Sequence, residues 1–107
     1  MAMTLFRALV SLAGLTHREA AAYLGVSVDA VKSWSCGRNA CRPEILHEMI
    51  ALVLRQERAA ITLRVDPLHP PQTDEAAQAF GWPCLGAWWA AAARALAYGL
   101  EGRNAQI

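Results

Sequence analysis

The chain has 107 residues, of which 55% are hydrophobic and 18% charged, and its net charge is +1. That is enough for one domain, or one small domain with a helical extension; it excludes disorder over most of the length and a polybasic tail. The charge is uneven, with residues 1–43 at +3 and residues 44–107 at −2, so an anionic partner is expected at the N-terminal half.

The 22 alanines raise the hydrophobic share and favour helix. From Thr4 to Ala13, Leu5, Ala8, Leu9 and Leu12 follow the spacing of an amphipathic helix, which Gly14 closes. Thr16 and Glu19 form a capping box for a second helix to about Leu24, with Ala20, Ala21 and Leu24 inward. Gly25 provides the left-handed turn, and Ser27 caps a third helix over about Val28 to Cys36. Val31 and Trp34 face inward on it, leaving Ser27, Val28, Asp29, Lys32, Ser33 and Cys36 outward. Gly37 ends this helix. A loop carrying Arg38, Asn39 and Arg42 leads to Pro43 and Glu44, which suit the first turn of a long helix. Ile45, Met49, Leu52, Val53 and Gln56 trace its inner face. Residues 61–65 alternate like a strand but also continue the helix; the absence of a pairing partner favours helix, and a strand pair across a dimer is the alternative.

Pro67, Pro70 and Pro71 make 66–73 a linker between a domain at 1–65 and an extension at 74–107. Thr73 or Asp74 caps a short helix to about Phe80, which Gly81-Trp82-Pro83 breaks. The last helix runs from about Leu85 to Leu100, with Leu85, Trp88, Trp89, Ala92 and Leu96 on its apolar face. Residues 76–93 carry no charge, but their glycines, proline and alanines read as buried or pairing surface, not a membrane span. No signal peptide is evident. Cys36, Cys41 and Cys84 are odd in number, lack metal-ligand spacing and read as reduced cytosolic thiols. The expected fold is all-α: an N-terminal helix-turn-helix bundle of four to five helices with a C-terminal helical extension.

The spacing around the turn meets the needs of a tight helix crossing: a small residue at Ala21, a glycine at Gly25 and a branched anchor at Val31. With Leu15-Thr16, Glu19-Ala20-Ala21, Leu24-Gly25-Val26-Ser27, Val31, Trp34 and Gly37-Arg38, the chain resembles the helix-turn-helix of phage-repressor-like and Cro-like regulators over residues 4–55. It departs from them at Val28 and Asp29, where they often carry Gln or Arg, and at Ser35, where they often carry Glu.

The resemblance implies a DNA-binding transcriptional regulator, a dimeric repressor on an inverted-repeat operator read in the major groove. Phage, toxin–antitoxin and anti-CRISPR operons all use regulators of this build, and autoregulation is one implied role. Ser27, Val28, Asp29, Lys32 and Ser33 become the expected base contacts; His17, Arg18, Arg38, Asn39 and Arg42 become the backbone contacts. A solvated polar face is the plain alternative for both sets. Leu85, Trp88, Trp89, Ala92 and Leu96 are expected to form a homodimer interface, against the alternative that the tryptophans cap the chain's own core. The rival function is an antitoxin or adaptor whose Ala/Trp-rich last helix binds a protein. No nucleophile–base arrangement, phosphate loop or carboxylate–histidine cluster points to an enzyme, and no cofactor or metal is expected. Cys36 and Cys41 are a redox pair or plain structural thiols.

Overall fold

The computed structural model describes residues 4–62 and 70–105, with side chains for 4–61 and 70–99. Among the described residues the fold is all-α, with α1 (Leu5–Leu12), α2 (His17–Leu24), α3 (Val28–Cys36), α4 (Pro43–Thr62), α5 (Asp74–Ala79) and α6 (Leu85–Ala105). The chain forms two compact units, 1–53 and 54–107, which divide within α4. Ile61 and Thr62 are helical; 63–65 and most of the expected linker, 66–69, lie outside the described residues.

Three helix starts in the first unit are fixed by side-chain caps. Thr4 Oγ1 accepts from the Arg7 N–H, Thr16 Oγ1 from Glu19 and Ser27 Oγ from Ala30, each at 3.1 Å. Glu19 closes the capping box by accepting from the Thr16 N–H at 2.9 Å. Gly25, at φ 69°, takes the left-handed conformation that turns α2 into α3, and the Val26 N–H bonds back to Ala21.

The core of this unit holds Val10, Ala13, Leu15, Ala20, Ala21, Leu24, Val31, Ile45, Met49 and Leu52. Phe6 joins them, its ring edge-on to Trp34 at a centroid distance of 5.5 Å. This corrects the expected inner face of α1. Leu5 and Leu12 are 63% and 51% exposed, whereas Phe6, Val10 and Ala13 point inward. Both stripes have helical spacing, and the aromatic contact with Trp34 decides between them. Thr4 Oγ1 ties the same junction by donating to the carbonyls of Trp34 and Ser35, at 3.0 and 3.2 Å.

In the second unit Thr73 caps α5, and Asp74 accepts from the Leu85 N–H at the start of α6. Gln56 is fully buried, and its amide donates to the Ala87 carbonyl at 3.1 Å. Arg55 lies over the Trp82 ring and donates to the Gly81 carbonyl. Ala87, Ala91 and Ala92 of α6 are fully buried, and Trp88 is 5% exposed. Glu57 accepts from Arg94 Nε at 2.6 Å and Tyr98 Oη at 2.7 Å. The Tyr98 hydrogen bond, then that of Arg94, holds its carboxyl below the ordinary 4.5.

Two outcomes follow from these local features. A Cβ at Gly25 meets nothing within 4 Å, so Gly25→Ala costs only the left-handed strain. Denaturant unfolding should register roughly 1–2 kcal/mol of destabilisation, and a neutral result would contradict the turn. Because the folded-state pKa of Glu57 is lowered, its contribution is present above the ordinary carboxylate value and lost as pH falls through the lowered one. Melting curves between about pH 5 and about pH 3 should fall more steeply for wild type than for Glu57→Gln; parallel curves would rule the network out as a source of stability.

Candidate nucleic-acid interface

The capped start of α2 and the first turns of α3 line one shallow groove of about 1060 Å³. His17 and Arg18 stand on one side, and Ser27, Val28, Asp29 and Lys32 on the other. Arg18, Ser27, Asp29 and Lys32 are exposed, while His17 and Val28 are half-buried. Ser27 is committed to the α3 cap, which holds its oxygen beside the Ala30 N–H and leaves its O–H free to turn outward. The structure thus brings together six of the ten residues expected at a nucleic-acid face, from two helices joined by the Gly25 turn.

Ser33 is a correction. It was expected outward, yet it is 4% exposed. Its Oγ accepts from Asn39 Nδ2 at 2.7 Å and from Arg38 Nε at 3.4 Å. A polar side chain can be buried once its hydrogen bonds are supplied, and the chain past Gly37 folds back to supply them. Ser33 therefore positions the loop and does not present itself to a ligand. Asn39 is exposed but spends its amide on this bond. Arg38 lies outside the groove, and the Arg42 guanidinium sits 5.7 Å from the Trp34 ring centroid. Among the described residues, Arg7, Arg18, Lys32, Arg38 and Arg42 form no ion pair with a carboxylate, so their charge is uncompensated. Arg7, exposed on α1, was not expected in this company. Nothing in its local sequence signals that the fold carries it beside α3.

The proposed interface on α6 also changes. Trp88 and Ala92 are buried within the chain, one helical turn apart, while Trp89 and Leu96 are 47% and 46% exposed and Leu85 is half-buried. The expected stripe was wide enough to straddle two faces, and the small alanines draw the Trp88 side inward.

Cys36 is exposed, Cys41 half-buried and Cys84 buried. Burial raises the Cys41 pKa, against the lowering effect of Arg42. Among the described residues no group of three His, Cys, Asp or Glu could hold a metal, and no helix is long and apolar enough to cross a membrane. Comparison with protein-family models, curated proteins and solved structures finds no match to the chain.

Ser33→Ala tests the positioning role. It should cost roughly 0.5–1.5 kcal/mol of stability and speed amide exchange at residues 38–40. Unchanged exchange there would return Ser33 to the plain helix surface.

Proposed function

We propose that the N-terminal unit binds duplex DNA sequence-specifically and that the protein is a transcriptional regulator, a dimeric repressor acting on an inverted-repeat operator. The observation that carries this reading is the shared groove: the N-terminus of α2, with His17 and Arg18, faces the exposed first turns of α3 across a glycine turn. The resemblance to phage-repressor-like and Cro-like regulators falls on these same residues and supports it. A helix with its side chains is about 10–12 Å across, and a B-form major groove is about 12 Å wide. α3 would enter that groove with Val28, Asp29 and Lys32 foremost. Val28 offers a methyl surface to thymine, Asp29 accepts from cytosine N4, and Lys32 donates to guanine. The N-terminus of α2, with Arg18, would meet a phosphate. The uncompensated cations of the first unit would speed encounter with a polyanion. Occupancy of an operator would block transcription sterically, and control of its own operon is one use of such a regulator. It would act in the cytoplasm.

Dimerisation in this reading falls to Trp89 and Leu96 on the exposed side of α6, with Leu85 beside them, and not to the buried Trp88 and Ala92. That same exposed side supports the second reading, an antitoxin or adaptor that binds a protein through α6.

Selection of random duplex DNA by the purified chain, followed by salt titration on the enriched sequence, tests the first reading. An inverted repeat should emerge. Lys32→Ala should then cost roughly 1–3 kcal/mol on that sequence, and Arg18→Ala should reduce the salt slope by about one. No enrichment would remove the DNA reading and leave the protein-binding one. The double change Trp89→Ala/Leu96→Ala should convert a dimer to a monomer by light scattering, and a monomeric wild type would dispose of this interface.

A further inference from the structure

A second cleft, of about 520 Å³, is built by α1, α2 and α3 together. Its cations come from positions far apart in sequence: Arg7 on α1, Lys32 on α3 and Arg38 just past Gly37. His17 and the carboxylate of Asp29 complete its rim. Three permanent cations against one carboxylate leave the cleft positive, and among the described residues none of the three is neutralised by an ion pair.

Ser35 supplies an independent sign of a ligand. It lines this cleft, is 4% exposed, and its Oγ is buried with no hydrogen-bond partner among the described residues. A serine inside a helix commonly satisfies its hydroxyl on the carbonyl one turn back; this one does not. Its backbone carbonyl is already taken by Thr4, so the hydroxyl is the group left over. Buried polar atoms without partners are rare enough in folded proteins to need a cause.

We propose that this cleft is a binding site for a phosphate group. Arg7 and Arg38 present planar forks suited to paired oxygens, Lys32 presents a point charge, and the Ser35 hydroxyl donates from the buried side. A carboxylate offers two oxygens. Donors converging from three elements suit a group with more oxygens, arranged tetrahedrally. The phosphate has two sources, the backbone of a duplex or a free phosphate. The site does not depend on base reading by α3, so it stands or falls apart from the proposed function.

The test has two arms on the full chain. In the first, inorganic phosphate is titrated at constant ionic strength while backbone amide resonances are followed. Saturable shifts are expected at residues 7, 32, 35 and 38. Arg7→Ala should weaken binding roughly 10-fold, and Ser35→Ala by a smaller factor, with the fold retained because that hydroxyl holds nothing in place. Arg58→Ala removes an exposed charge outside the cleft and should leave the affinity unchanged. In the second arm, binding to duplex DNA is titrated with salt, and Arg7→Ala should reduce the slope by about one if the backbone is the source. Saturable phosphate binding without duplex binding supports the site and removes the DNA reading. A reduced slope without measurable binding of free phosphate supports the site and assigns it to the backbone. No response in either arm, or an Arg58→Ala effect equal to that of Arg7→Ala, overturns the proposal.

Discussion

Trp34 holds the N-terminal unit together. Its ring meets the edge of Phe6, the Arg42 guanidinium lies over it, and its carbonyl accepts from Thr4. An aromatic pair of this geometry contributes about 0.5–1.5 kcal/mol beyond its buried area. Its structural consequence is larger than that energy, because the junction fixes how α3 lies against α1. Val28, Asp29 and Lys32 ride on α3, and Arg7 rides on α1. Loosening the Phe6–Trp34 contact would therefore move the bases' proposed readers and the phosphate's proposed ligands relative to each other.

What the sequence makes legible here is local chemistry. The Thr16–Glu19 box, the Gly25 turn and the Ser27 cap each involve residues no more than four positions apart, and each forms as the residue types require. The inner face of α4 was legible too, since Ile45, Met49, Leu52, Val53 and Gln56 are all buried. The face of α1 was not. Leu5–Leu12 and Phe6–Val10 both satisfy the helical period, and the choice is made by a tryptophan almost thirty residues away. Ser33 was misplaced for a related reason. Helical spacing puts it near the outward side, but the Asn39 amide that buries it arrives from the loop beyond Gly37. That His17, Arg18, Ser27, Val28, Asp29 and Lys32 share one groove was legible because capping fixes the starts of α2 and α3. Arg7 was not, since only tertiary packing brings it to α3.

The second unit shows the same division between local and distant causes. Alanine at 87, 91 and 92 lets the backbone of α6 approach its neighbours closely, and these residues are fully buried. Such a surface needs few large side chains, so Trp88 suffices on the inner side and Trp89 is left outward. The buried Gln56 would be costly alone, yet its amide reaches the Ala87 carbonyl and its oxygen lies 3.5 Å from an Arg94 nitrogen. Arg94 also bonds Glu57 and the Ala90 carbonyl, so one guanidinium links α4 to α6. The sequence offered Arg94 only as the charge that ends an uncharged run.

His17, Asp29 and Lys32 line both the groove at the α2–α3 turn and the cleft beside Arg7. The two openings therefore share a ridge, and Lys32 cannot serve a base edge and a phosphate at the same moment. The distribution of charge resolves that competition. The cleft has Arg7 and Arg38 of its own, neither of which lines the groove, so on a duplex a phosphate seated there would keep two cations when Lys32 turns to a base. The groove has no second exposed cation on α3. Asp29 would repel a phosphate from either side of the ridge. A phosphate gripped by the two arginines would thus leave Lys32 free to reach for a base. On the proposed division of labour, Arg7 and Arg38 would set where α3 sits on a duplex, and Val28, Asp29 and Lys32 would decide which duplex it prefers.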